Sequence, residues 1–450
     1  MTEDSSAVAH GEERGIRFLF LDLAPGITRL NAWVFFYAAF ATIGLLTFVS
    51  TGTALVLNAN FGMPIGDQGT VSGDLVIITE VVQLIIFGVV GVVSDRIGRR
   101  EVAAAGMVLM GLGYLLYPFA DTLFELFIYR AIYAAGLGAA TGMLQTLIAD
   151  YPSDSSRGKL VAVAGVCNGI GVLIVTVLFA RSVPPMLVDA GFDAISSSRI
   201  THAIVGSVCV LSGVIYLLGL KKGLPTKKEE RLPVRDLIVG GLAEARNPRI
   251  ALSYACAFVA RSDLVILGTF TVLWGTVAGV QQGMDPAVAA GRGAGMFGIA
   301  SGASLLWLVV LGLVMDKFNR VTGVMFCMTF AAIGYCSMIF VDNPLDRASI
   351  PLFLLLGVGQ ISAFFGATTL ISQEAPRLKR GTVMGMFNMS GAVGIFFAGL
   401  IGGRLFDAVG PYAPFVMIGV LNGLLVFFAL IVRIKSPGLM PALKDAPAAD

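Results

Sequence analysis

The chain has 450 residues, 56% of them hydrophobic and 13% charged, with a mean hydropathy of +0.84. A soluble chain carries roughly 25% charged residues, so this one lacks the charge to coat a water-facing surface of its size. Thirty-one Lys and Arg against 29 Asp and Glu leave a net charge of +2, which excludes a basic nucleic-acid surface; two histidines and five scattered cysteines exclude a metal cluster, a histidine triad and a disulfide scaffold.

In chain order, a polar tail over 1–30 without a signal-peptide pattern precedes the first long apolar run. Twelve runs of membrane-spanning length follow, near 31–57, 72–93, 102–119, 123–149, 159–180, 201–220, 250–275, 293–315, 321–341, 350–373, 382–405 and 413–433. They are continuous and too long for barrel strands, so the fold class is an all-α membrane protein. The tails and the loops after even-numbered runs hold 24 Lys and Arg, whereas the opposite loops hold 5. That asymmetry predicts that both termini are cytoplasmic.

The polar stretch 221–249 separates a first six-helix bundle (31–220) from a second (250–433), and 434–450 is a second tail. Within the linker, Val234 to Ala245 has the length of a short surface helix, although its neighbouring charges favour a solvated linker.

An internal repeat follows. Gly91, Asp95, Arg96, Gly98, Arg99 and Arg100 spell G-x-x-x-D-R-x-G-R-R after the second run, and Gly312, Asp316, Lys317 and Arg320 echo it 221 residues later after the eighth. Gly136 and Gly138 recur at the same offset as Gly357 and Gly359. Asp150, Pro152, Arg157 and Gly158 return as Glu374, Pro376, Arg380 and Gly381. The chain reads as two pseudo-symmetric six-helix bundles in parallel repeat.

The motif after the second run, with its degenerate second copy, resembles the signature of the major facilitator superfamily, and the resemblance covers the whole twelve-helix layout. It implies secondary transport by alternating access, and it places Asp95 near the start of the eleventh helix, around Gly381. There a carboxylate gains from the helix dipole. Gly91 would let those helices close. Asp316 would likewise meet the start of the fifth helix at Gly158, and Arg96, Arg99 and Arg100 would pair with Asp150 or Glu374 in a cytoplasmic latch, with Arg157, Lys317, Arg320 and Arg380 as its further charges; the alternative is that the arginines only anchor topology. Two departures from the family's patterns stand out. Arg130 is followed by Ala134, not glycine, before Gly136 and Gly138, and the fifth run (Gly165, Asn168, Gly169, Gly171) lacks the G-P-x-x-G-G of proton-linked drug antiporters.

Ionisable residues inside a bilayer cost at least roughly 2.5–3.5 kcal/mol and mark functional candidates. Glu80, Arg130, Arg261 and Asp263 lie inside spans. Glu80 and Asp263 are proton-coupling candidates; Arg130 and Arg261 are ligands for an anionic group or counter-charges; a static charge pair fixing helix packing is the competing reading. Arg261 and Asp263 sit about 200° apart on a helix, so one should face the cavity and the other a neighbouring helix. Gln83, Gln145, Asn168, Tyr254, Gln360 and Asn388 are weaker cavity candidates. Asp74 and Glu125, near helix ends, are expected to be wetted.

The function expected is a secondary active transporter of a small organic solute, with a preference for an anion or zwitterion and proton coupling. Proton-linked efflux of amphipathic drugs is one alternative, and a non-transporting receptor or scaffold another. No nucleophile or cofactor constellation appears, so no enzyme, cofactor or metal is expected. Gly293, Gly295 and Gly298 match a dinucleotide fingerprint only formally, since no strand precedes them. The protein is expected to be a monomer in contact with membrane lipid, in a bacterial inner membrane.

Overall fold

A computed structural model describes residues 16–153, 156–223, 234–315, 318–376 and 379–437. Twelve helices among these are long and apolar enough to cross a membrane: α1 Arg29–Asn60, α2 Ile65–Ile97, α3 Arg99–Phe119, α4 Leu123–Asp150, α5 Lys159–Asp189, α6 Ala194–Gly219, α7 Pro248–Gln281, α8 Pro286–Leu313, α9 Arg320–Phe340, α10 Arg347–Glu374, α11 Arg380–Ala408 and α12 Ala413–Lys435. In hydrocarbon every backbone polar group must be satisfied within its own segment, and a helix does this. Several helices reach beyond their apolar run. For example, α2 and α8 each begin seven residues before the apolar stretch, because side chains at their ends need not be apolar.

The helix starts are set by side-chain caps. Thr28 and Asn31 form a reciprocal capping box on α1, Thr122 accepts from the Glu125 amide, and Asp193 accepts from that of Ser196. Hydrogen bonds from Ser196 hold the Asp193 carboxyl below its ordinary range. Three spans are interrupted by π turns, at Val56–Asn60 in α1, Val175–Ser182 in α5 and Ile266–Phe270 in α7.

Two cores result. One gathers Phe35, Phe48, Tyr114, Tyr133 and Tyr216 in α1–α6; the other gathers Phe270, Trp274, Tyr335, Phe353 and Phe415 in α7–α12. The repeat extends to contacts with a two-residue exchange. Gly136 of α4 abuts Met110 of α3 and Gly138 abuts α2, whereas Gly357 of α10 abuts Ala300 of α8 and Gly359 abuts α9.

Two segments are more ordered than a polar tail and a solvated linker. Strands β1 (Arg17–Phe18) and β2 (Leu21–Asp22) form a hairpin, with Phe18 edge-on to Trp33 at 5.3 Å. Asp22 accepts from Ser153, and Leu23 bridges to Pro152, so the hairpin is fastened to the α4–α5 loop. Val234–Glu244 is a helix packed on the second half: Gly240 and Gly241 lie against Thr382 and Met386, and the Tyr254 hydroxyl donates to the Gly241 carbonyl at 3.2 Å. Two adjacent glycines let its backbone approach α11, which the charge count of the linker does not reveal.

Candidate functional site

The halves meet through α2 with α11 and α5 with α8. Their contact is tight at the end away from the described chain ends, here called distal. Gly69 and Gly73 of α2 face Gly403 and Gly399 of α11 so closely that a Cβ on Gly73 would run into the Gly399 carbonyl. On the other seam, Gly169 lies against Leu305, Gly298 against Thr176 and Gly291 against Arg181 and Pro185. At the proximal end the arrangement is reversed. Gly88, Gly165, Gly312 and Gly381 have no atom within 4 Å of where a Cβ would stand. Thus the halves close distally and part proximally, leaving a cleft between them.

Three of the four charged candidates, Glu80, Arg130 and Arg261, lie within electrostatic reach of one another at mid-depth. Arg130 is 4% exposed; its Nε donates to Thr79 Oγ1 at 2.7 Å, a terminal nitrogen reaches Thr53 Oγ1 at 3.4 Å, and the guanidinium lies 5.2 Å from the centre of the Tyr133 ring. It therefore ties α4 to α1 and α2. Next to Thr79, half-buried Glu80 accepts from Gln83 at 3.4 Å. Both Arg130, from the same half, and Arg261, from the other, act electrostatically on it. Arg261 crosses Gly391 of α11, where a Cβ would stand 2.5 Å from its Cδ, and donates to Asn388 Oδ1 at 2.7 Å; its Nε has no hydrogen-bond partner. The cluster thus joins the two halves by charge.

Asp263 points elsewhere, as the angle along α7 requires. It is fully buried, beside Asn422 of α12, and its carbonyl accepts from the Tyr335 hydroxyl at 3.0 Å. Both Asp263 carboxyl oxygens and Asn422 Oδ1 lack partners, while Asn422 Nδ2 donates to the Ile418 carbonyl.

The weaker candidates divide. Asn388 and Gln145 are exposed and Gln83 is half-buried. Gln360 is 5% exposed and accepts from Ser304. Asn168, in the amide orientation that satisfies both its atoms, donates to the Ala39 and Ala164 carbonyls, and Tyr254 is committed to the linker helix. These three bridge helices.

At the proximal end, Arg99 forms an ion pair with Asp150 within the first half, while Arg100 pairs with its neighbour Glu101 at 2.8 Å. Glu374 pairs with Arg249 at 3.0 Å, within the second half. Arg96 is exposed, and Arg320 and Arg380 donate to the carbonyls of Met315 and Ser372. Gly91 is buried and accepts from Ser94; Gly98 ends α2 at φ 110°, a left-handed backbone that favours glycine. Asp316, Lys317 and the side chain of Arg157 lie outside the described residues. These proximal ion pairs therefore each stay within one half.

At the distal end two charged contacts cross directly from one half to the other. Arg404 donates to Asp74 at 3.1 Å, and the Asp407 carboxylate accepts the backbone N–H groups of Gly69 at 2.9 Å and Thr70 at 2.6 Å. By sequence alone Asp74 reads as a wetted helix-end residue and Asp407 is given no role. The available signal was the i, i+4 glycine pair in each helix.

Two duplicated six-helix halves around a cleft, closed at one end and charged at mid-depth, define a membrane transporter. The comparisons agree: a family model for the Major Facilitator Superfamily matches residues 34–399 and 310–449. Magnetosome protein MamH of Paramagnetospirillum magneticum is 30% identical over 390 residues, covering 83% of this chain and 85% of MamH. The inner membrane transport protein YajR of Escherichia coli is 24% identical, over 80% and 74% of the two chains. Among solved structures, the nucleoside transporter NupG superposes with a TM-score of 0.69 at 12% identity, covering 92% of this chain and 100% of NupG. The chain belongs to the Major Facilitator Superfamily. It is an integral membrane protein and a secondary transporter, not an enzyme.

Proposed function

We propose that this protein is a proton-coupled secondary active transporter of a small organic anion or zwitterion. The observation that carries the reading is Glu80, half-buried next to Thr79, which Arg130 of the same half bonds, and under the electrostatic influence of Arg261 from the other half. A carboxyl that exchanges arginine contact for an open cleft exchanges its preferred charge state too, which is the physical requirement for coupling a proton to a rocking motion. Arg261 suits an anionic group: its Nε is unpaired, and its other bond goes to the exposed Asn388. Asp263 is the second coupling candidate. Both its carboxyl oxygens are buried without a hydrogen-bond donor, so a proton bound there removes the cost of an unpaired buried charge.

The proximal end, with its excess of Lys and Arg, is the cytoplasmic one in this reading, and the structure then has its cleft open to the cytoplasm. The protein acts as a monomer in a bacterial inner membrane. In proteoliposomes, Glu80→Gln is expected to abolish accumulation driven by an imposed pH gradient while solute exchange continues, and Arg261→Ala to weaken anion uptake at least tenfold. Full gradient dependence in both Glu80→Gln and Asp263→Asn overturns proton coupling; unchanged anion uptake in Arg261→Ala overturns the anion site.

The identity with MamH favours a second, cellular reading: the transporter serves a magnetosome. A tagged copy produced in a magnetosome-forming bacterium is then recovered with the magnetic fraction, and recovery solely with the plasma membrane overturns it.

A further inference from the structure

Helices α2 and α11 run antiparallel across the boundary between the halves, Gly69 beside Gly403 and Gly73 beside Gly399. The last turn of α11 brings Asp407 to the start of α2. There its two carboxylate oxygens accept two successive backbone N–H groups, those of Gly69 and Thr70, at 2.9 and 2.6 Å. Gly69 makes the room: a Cβ on it would stand 2.6 Å from Asp407 Oδ1 and 2.7 Å from Phe406 Cβ. A carboxylate near a helix start is favoured by the amides themselves and by the helix dipole, and bonds from N–H to a charged oxygen are the stronger kind. The acceptor belongs to one half of the protein and both donors to the other.

We propose that Asp407 is a gating residue: its hold on the start of α2 latches the distal end shut, and its release is required before the cleft can open on that side. The arrangement at the proximal end is the same one turned round, with a carboxylate, Asp95, at the end of α2 and a glycine, Gly381, at the start of α11. That Gly381 has open space around it here, while Asp407 is engaged. If the halves rock, opening the distal end must break this hold, so the hold sets the balance in favour of the state seen. Asp74 and Arg404 form a more exposed pair on the same seam, with side chains 35% and 47% exposed, and contribute less.

The inference rests on the alternating-access reading, and the test separates the two. Val161 and Leu313 are exposed residues at the proximal ends of α5 and α8. Spin labels are placed there in the full chain, with the part-exposed Cys167 and Cys336 changed to serine. Electron–electron distance measurement in lipid nanodiscs then reads the ratio of proximally open to proximally closed molecules. Asp407→Asn, which keeps an acceptor but drops the charge, is expected to lower that ratio about fivefold, the equivalent of roughly 1 kcal/mol of lost capping. Asp407→Ala should lower it at least as far, and Asp74→Asn less than twofold. Thermal melting of each purified variant separates loss of the latch from loss of the fold. Two separations whose ratio stays unchanged in folded Asp407→Asn and Asp407→Ala overturn the latch alone. A single fixed separation in the parent and in every variant overturns both the latch and the rocking motion beneath it.

Discussion

Valine at Gly73 or Gly399 is expected to abolish transport in a protein that still inserts in the membrane. Each glycine lies on the α2–α11 seam, and a Cβ on Gly399 would stand 3.0 Å from the Gly73 carbonyl oxygen and 3.0 Å from Val76 Cγ1. The opposing atoms are largely backbone, which cannot step aside as the end of a flexible side chain can. Overpacking of this kind costs about 1–3 kcal/mol, and here the strain falls on one conformational state, because it is felt only when the distal end is shut. Flux assays should show a drop of roughly a hundredfold, the upper end of that cost. Gly423→Val is the control: nothing lies within 4 Å of a Cβ there, and activity should stay within twofold. Normal flux in both seam variants would mean that distal closure is no part of the cycle.

A second large effect is expected at Arg130. Replacing it with alanine removes the donor to Thr79 and the cation beside the Tyr133 ring, and leaves Glu80 without its counter-charge in the same half. Losing a buried charged donor costs about 1.5–3 kcal/mol for each hydrogen bond it made, and it leaves the Glu80 charge less compensated. The variant should melt well below the parent and transport at less than 1% of its rate. The double change Arg130→Met with Glu80→Gln removes both charges, and its melting midpoint should return most of the way while proton coupling stays lost. If the double variant melts no higher than Arg130→Ala, the arginine's role lies in Thr53, Thr79 and Tyr133 rather than in Glu80.

The architecture was largely legible because it is written in quantities that do not depend on packing. Twelve apolar runs and the 221-residue offset between Asp95 and Asp316 are visible in one dimension. The mid-depth charges were legible for the same reason, since an ionisable residue in an apolar run stands out whatever surrounds it. That Arg261 and Asp263 would part company followed from helix geometry, but which of them would face Glu80 depended on the rotation of α7 in its bundle. The distal seam was harder. Gly69-x-x-x-Gly73 and Gly399-x-x-x-Gly403 are ordinary small-residue spacings, and nothing in the chain says that segments some 330 residues apart lie together. Gly165-x-x-x-Gly169 has the same spacing, yet Gly165 has open space around it. Arg99 and Asp150 suggested a partnership by their charges, whereas Glu374 meets Arg249, a residue whose place in the linker gave it no apparent role.

The linker helix carries a consequence for how the two bundles are joined. Gly240 and Gly241 pack on α11, and Glu244 is bonded to Lys379 at 2.6 Å, so Val234–Glu244 travels with the second bundle. The segment joining it to the first bundle is thus no longer than residues 222–233, and a chain spans at most roughly 3.3–3.6 Å per residue. Severing it would leave each bundle with its own core and all six spans. The covalent bond there fixes a one-to-one stoichiometry, and the orientation of the two bodies is dictated by their mutual fit inside the lipid.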